Sequence, residues 1–358
     1  MKSIYVITWW GAVILTTLRC CTDKDNPLQS AAAYRTDRAV PFGSYTGSLS
    51  LCRWKNDKQA AYSIAFDDAT RSSHYLVSAP ELEEHGLRGT FNLNTKNLPD
   101  WKAWQKLFDK GHEIASHGWS HQRMGELDET TLHVEFSRAK ADLLDHIKGL
   151  KGVPSFTFPM GSSSALARAI ALQYHRSARA GSGVNDAVLT QEELSRVKGI
   201  GVYPPYDMNR FNAYAHEAIA RGGWVLFYFH TVSAVEESGD TTIPLSLFRA
   251  HLDFITARSD SFWFATQGEA ATYIYVRSAV TPEVSVKDER VLQVTLKVPA
   301  FQEETSLSVR VTKPEEWLHH RIVIEEDGAI LQEYDSSDSA VLVCDLPINR
   351  TVWIWARK

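Results

Sequence analysis

The chain has 358 residues, 44% of them hydrophobic, and a formal net charge of −5, which bounds it to one large domain or a large domain with a small companion. Its slight acidity excludes the basic footprint that nucleic-acid binders carry. Eleven Trp and thirteen Tyr suit stacking on sugars, although aromatic side chains serve first as core.

At the N-terminus, Met1-Lys2 precede an apolar span from Ile4 to Leu18, too short to cross a bilayer comfortably, and then Arg19-Cys20-Cys21. This pattern predicts a signal peptide over 1–21 and export from the cytoplasm to the periplasm or cell surface. Leu18 stands three residues before Cys21, as in the lipobox of bacterial lipoproteins. Cys21 is thus the expected lipid anchor and the only membrane contact expected; Cys20 and Arg19 depart from the lipobox and leave ordinary cleavage open. Residues 22–45 are small and polar, as a linker is. Cys52 and Cys344 remain in the mature chain and are expected as free, buried thiols in different domains, with no disulfide framework.

Order begins near Ser48. Leu49–Trp54 and Ala60–Phe66 flank the turn signal Asn56-Asp57-Lys58, which predicts a hairpin. The second run is apolar but for Ser63 and ends in Asp67-Asp68. Catalytic groups collect at the C-terminal ends of strands in α/β folds. Two adjacent carboxylates there diverge, so one can ligate a metal while the other faces a water. The alternative for a single Asp is a helix cap.

Strands and helices then alternate: helix 72–85 closed by Gly86, strand 89–93, helix 101–109 closed by Gly111, and strand Glu113–Ser116. That strand delivers His117, and His121 follows four residues later, a spacing that lets two imidazoles converge on one metal. In a chain with thirteen His the pair alone is a weak signal; the upstream carboxylates strengthen it. The longest helix spans 128–147, with Leu132, Phe136, Ala139, Leu143 and Ile147 on one face; its His133 and His146 read as ordinary helix residues. Strand 155–158 enters Pro159-Met160-Gly161, a joint that aims backbone N–H groups at the strand-end face and suits an oxyanion hole. Further units are expected over 174–178 and 196–202, then a helix from Asn209 to Arg221, and finally the apolar strand Trp224–Phe229 that delivers His230.

Taken together, Ile64–Ala69 with Leu82–Phe91, Gly111–His121, Phe156–Gly161 and Trp224–His230 resemble, in order and spacing, the motifs of carbohydrate esterase family 4, the polysaccharide deacetylases of the NodB-homology type. The resemblance covers about residues 58–275. It implies an α/β fold, a distorted (β/α) barrel of the polysaccharide deacetylase type over 46–278. It also implies a divalent metal, zinc first with cobalt or nickel as alternatives, held by Asp68, His117 and His121 with water in the open positions. Asp67 would be the general base, His230 the general acid, and the Met160 backbone N–H an oxyanion donor. Asp207 is a loose match for an acid that tunes His230, with a helix N-cap as the equal alternative.

The chain departs from the family pattern at four points. Thr157 stands where many members have Arg, leaving Arg176 or Arg179 as the expected partner of Asp67. Gly118 follows the first ligand His in place of Ser or Thr, Tyr228 replaces a Leu, and Thr231 replaces an Asp.

Beyond Ala279 short alternating runs rich in Val, Ile and Leu predict a small C-terminal all-β sandwich over 279–358. It is expected as a structural cap, with Trp317, Trp353 and Trp355 keeping a carbohydrate-binding module as the alternative. The function expected is removal of N- or O-linked acetyl groups from an acetylated polysaccharide or oligosaccharide outside the cytoplasm. The competing expectations are a catalytically silent glycan-binding lipoprotein and an amidohydrolase acting on a non-sugar substrate.

Overall fold

A computed structural model describes residues 39–357 apart from 44–45, 69–71, 236–240, 300 and 302. The expected signal peptide, Cys21 and most of the linker lie outside the described residues.

Two short strands come first, β1 (Val40–Pro41) and β2 (Ser48–Leu51). β3 (Ala60–Phe66) follows, all seven of its residues buried, as befits a strand with parallel neighbours and both faces covered. The parallel series continues with β4 (Thr90–Leu93), β5 (Glu113–Ser116), β6 (Ser155–Thr157), β7 (Ser177–Gly181), β8 (Val197–Lys198), β9 (Ile200–Gly201) and β10 (Trp224–Phe229). Only Gly199 separates β8, which pairs with β7, from β9, which pairs with β10. The segment 197–201 therefore closes the sheet into a ring in the order β8-β7-β6-β5-β4-β3-β10-β9. Beyond β10, β11 (Thr231–Ser233) and β12 (Thr242–Pro244) pair with each other, and β13 (Phe262–Phe264) lies against the first half of β3.

Helices alternate with these strands: α1 (Ala79–Glu84), α2 (Trp101–Asp109), α3 (Glu129–His146), α4 (Ala165–Tyr174), α5 (Gln191–Leu194), α6 (Met208–Arg221), α7 (Leu245–Thr256) and α8 (Gln267–Ala279). The result is the expected (β/α) barrel. In α3 the Asp128 carboxylate accepts the Thr131 N–H at 2.8 Å, satisfying one of the open N-terminal donors. Leu132, Phe136, Ala139 and Leu143 then recur on the face turned to the sheet. The expected unit over 174–178 is instead a boundary: α4 ends at Tyr174, and the extended His175 leads into β7.

The C-terminal part is the expected antiparallel sandwich, built from β14 (Thr281–Asp288), β15 (Val291–Lys297), β16 (Ser306–Thr312), β17 (Arg321–Glu326), β18 (Ala329–Tyr334), β19 (Val341–Pro347) and β20 (Thr351–Arg357). One sheet runs β14-β15-β20-β17-β18. The other runs β1-β2-β16-β19, so the N-terminal strands belong to the sandwich.

The expected hairpin between 49–54 and 60–66 is accordingly not formed; Leu49 and Leu51 pair with Val311 and Val309 instead. Cys52 follows β2 and Cys344 lies on β19, so both sit in the sandwich rather than in separate domains. Both are buried and free, and burial drives the Cys52 thiol up to about 12.

One apolar cluster runs through both parts, joining Leu49, Leu51 and Trp54 to Ile274 and Val276 of α8, and these to Leu307, Val309, Leu346 and Ile354 of the sandwich. Trp317 is buried within it, while Trp353 and Trp355 are half-buried neighbours, their rings 6.1 Å apart. This continuity favours the cap. A chain ending at Val280 would bare the Leu49, Leu51, Trp54, Ile274 and Val276 side chains. At about 1.5–3 kcal/mol for each large apolar side chain, the loss reaches the roughly 5–15 kcal/mol that holds a whole domain folded. The truncated chain is expected to be insoluble or to lose its cooperative melting transition; a folded truncation that lost only glycan affinity would make the sandwich a binding module.

Candidate metal and hydrolytic centre

The barrel brings the chemistry-bearing residues together at the C-terminal ends of its strands. β3 ends with the Asp67 N–H donating to Phe229 O at 2.9 Å, which keeps that residue inside the ladder. Asp68 then turns into the left-handed region at φ 60°, so the two carboxylates leave the strand in different directions. A non-glycine residue in that region costs on the order of 1–3 kcal/mol and is characteristic of functional sites.

Asp68 turns toward the two histidines. Its Oδ1 lies 2.9 Å from His121 Nε2 and 3.5 Å from His117 Nε2. His117, at the end of β5, donates through Nδ1 to the Thr157 carbonyl at 2.8 Å. That bond orients the ring and turns Nε2 toward the cluster. One donor atom each from Asp68, His117 and His121 falls within 4.8 Å of the others. Two imidazoles and a carboxylate so placed fit a divalent metal with open positions for water or substrate. The neighbouring imidazoles hold the Asp68 carboxyl well below its ordinary value despite burial.

The loop between the histidines is held from below by a residue that the sequence analysis passed over. Glu135, buried in α3, accepts the Trp119 N–H at 3.0 Å, the Ser120 N–H at 2.9 Å and the Ser120 hydroxyl. It thereby fixes the backbone just before His121, which is itself left-handed at φ 58°. The sequence does carry a signal for it, an acidic residue inside the apolar stripe of a helix. Gly118 is required by its φ of 82° and by space: a Cβ there would stand 2.7 Å from Met124 Cε.

Asp67 faces the other way, into a cage of donors. Asn92 donates to its Oδ1 at 2.9 Å, and Arg179 forms an ion pair with Oδ2. Burial pushes the Asp67 carboxyl up, but Arg179, His117 and His230 outweigh it and hold it below its ordinary value, so the group is ionised at neutral pH. Of the two candidate arginines Arg179 is thus the partner; Arg176 lies outside the barrel, bound to Glu303 and Thr272. Thr157, where the family pattern carries Arg, is the register partner of Arg179 in β7, so the guanidinium reaches Asp67 from one strand further round. Its Cζ lies over the Tyr228 ring, 3.7 Å from the centroid. Gly199 makes that room, since a Cβ there would stand 2.7 Å from Arg179 Cδ.

His230 directly follows β10, with its Nε2 3.8 Å from Asp68 Oδ2. Its carbonyl accepts from the buried His74, and burial pushes its own imidazole pKa down. Asp207 does not reach it. That carboxylate accepts the Arg210 N–H at 3.1 Å as the N-cap of α6, which corrects the tuning role, and His230 Nδ1 is buried without a partner among the described residues. Met160 lies in the turn Pro159–Gly161 directly after β6, left-handed at φ 54°, with its side chain exposed. His133 bonds Tyr174 and His146 stacks on Trp101, ordinary helix contacts as expected.

Residues 55–177 match the family model described as polysaccharide deacetylase. A gellan lyase of a Bacillus species is 23% identical over 297 residues, which cover 76% of this chain and 12% of that protein; the chain thus spans about an eighth of that relative. Among solved structures, a putative polysaccharide deacetylase from Mycobacterium smegmatis is 16% identical, with a TM-score of 0.48 over 62% of this chain and 92% of its own. The Xyl-CE4 domain of a multidomain xylanase from the hindgut metagenome of Trinervitermes trinervoides is 14% identical, with a TM-score of 0.38 over 59% and 89%. The match over 55–177 takes in Asp67, Asp68, His117 and His121, and it is to the family that the sequence motifs resemble.

Proposed function

We propose that the protein is a metal-dependent hydrolase that removes N- or O-linked acetyl groups from a polysaccharide outside the cytoplasm. The observation that supports this reading is the way one carboxylate pair divides: Asp68 meets two imidazoles, while Asp67 is paired with Arg179 and accepts from Asn92, which suits it to take a proton.

Asp68, His117 and His121 would hold the metal, zinc first with cobalt or nickel as alternatives. When bound, a divalent cation there supplies Lewis-acid polarisation to the hydrolysis. Asp67 takes the proton of the attacking water as oxygen adds to the acetyl carbonyl. The Met160 backbone N–H donates to the developing oxyanion. His230 gives a proton to the departing amine or alkoxide as the carbon–nitrogen or carbon–oxygen bond breaks, leaving acetate and the free group on the sugar. Export rests on the N-terminal pattern over 1–21, and an anchor on Cys21.

The reading is tested by acetate release from a panel of N-acetylated and O-acetylated oligosaccharides, with metal content determined on the same samples. Metal-loaded protein is expected to release acetate from at least one class and chelated protein from none. Release from none by a fully loaded protein would overturn the reading in favour of silent glycan binding.

A further inference from the structure

One exposed aromatic side chain beside His230 has no part in that chemistry. Tyr203 follows β9, where the Val202 N–H donates to Tyr228 O at 3.0 Å and so continues the pairing with β10. The residue is 38% exposed, and its ring lies 5.4 Å from the His230 ring at an interplanar angle of 39°. The phenol donates to the Tyr228 hydroxyl at 3.4 Å, and Tyr228 in turn rests on Arg179.

The ring's position is built into the strand beneath it. A Cβ at Gly201 would stand 2.3 Å from Tyr203 Cε2 and 2.7 Å from the Tyr228 hydroxyl, so the glycine is what lets both phenols occupy this place.

The geometry points to Tyr203 as the platform for the sugar ring that bears the leaving group. This inference rests on the proposed hydrolysis, in which His230 protonates that group. The sugar carbon carrying the departing nitrogen or oxygen then has to lie against the imidazole, and the rest of the ring comes within reach of the neighbouring phenol. The C–H face of a pyranose is apolar and packs on an aromatic face, while its hydroxyls remain in water. An exposed ring held at a shallow angle beside the proton donor offers that surface. Acyl-group recognition, by contrast, falls to the metal side of the site.

The test compares Tyr203→Ala and Tyr203→Phe with wild type on fully N-acetylated chitotetraose, on an O-acetylated xylo-oligosaccharide and on 4-nitrophenyl acetate, whose leaving group is not a sugar. Tyr203→Ala is expected to lose about ten-fold more kcat/KM on a saccharide than on the ester, mainly through KM, the size of one aromatic stacking contact. Tyr203→Phe is expected to keep the wild-type preference for the saccharide. Equal losses on saccharide and ester would overturn the inference.

Calorimetric binding of the same oligosaccharides separates this inference from the reading beneath it. Binding that weakens about ten-fold in Tyr203→Ala, with no acetate released by wild type, supports the platform and overturns the hydrolysis. Binding by wild type that Tyr203→Ala leaves unchanged, or no binding by wild type at all, overturns the platform.

Discussion

Replacing His117 with Ala is expected to abolish stoichiometric metal binding and, with it, acetate release. His117 supplies an Nε2 oriented by its Nδ1 bond to Thr157 O, and alanine removes the donor atom while leaving Asp68 and His121 with too few ligands for a tight site. Asp68→Ala and His121→Ala are expected to behave alike. Asp68→Ala has the further effect of removing the carboxylate that pushes the His121 imidazole up, so His121 would lose its proton more readily. The check is metal content after dialysis, measured beside acetate release. A His117→Ala protein that retained one tightly bound metal per chain would show that the ligand set lies elsewhere.

The second large effect is expected at Arg179. Arg179→Met leaves Asp67 buried with Asn92 as its remaining donor, and an unpaired buried carboxylate costs about 3–5 kcal/mol. With the guanidinium gone, burial becomes the dominant influence on Asp67 and its pKa rises. The base must be ionised to act, so the acid limb of kcat/KM is expected to move to higher pH in the variant, while in wild type it lies below the ordinary carboxylate value. The linkage runs the same way for stability. A carboxylate with a depressed folded pKa contributes stability that is present above its unfolded pKa and lost as the pH falls through the folded one. Wild type should lose that contribution on acidification below about 4, and Arg179→Met should lack it at neutral pH. Arg179→Lys keeps the charge but loses the planar contact with Tyr228, so an intermediate shift is expected. An unmoved acid limb in Arg179→Met would show that Arg179 does not hold Asp67.

Much of this arrangement is legible in the sequence, for physical reasons that differ from element to element. Runs such as Ala60–Phe66, apolar but for Ser63, and Trp224–Phe229 are so apolar because parallel strands are covered on both faces, and each ends where a polar residue emerges. The metal triad follows from those ends together with the four-residue histidine spacing. Strand pairing is less legible: period-two patterning shows that Leu49 and Leu51 lie in a strand, yet their partners, Val311 and Val309, are some 260 positions away.

The choice between Arg176 and Arg179 is a matter of register. Thr157 pairs with Arg179 in the barrel wall, whereas Arg176 precedes the strand, and the start of β7 was not readable from composition. Asp207 satisfied two patterns at once, and the open N–H groups of α6 took it. Glu135 required knowing that the helix face beneath it adjoins a loop with two unsatisfied N–H groups, a tertiary fact with only an oblique trace in the chain.

The central claim, that Asp67 is the base beside a separate metal ligand, is tested most directly by acetate release from metal-loaded Asp67→Asn with metal content measured on the same sample. Asn keeps the size of the side chain but does not accept the proton of the attacking water. The account predicts wild-type metal content and turnover lower by about 100-fold or more, the range for removing a positioned general base. Near-normal turnover by a fully loaded Asp67→Asn protein would contradict it.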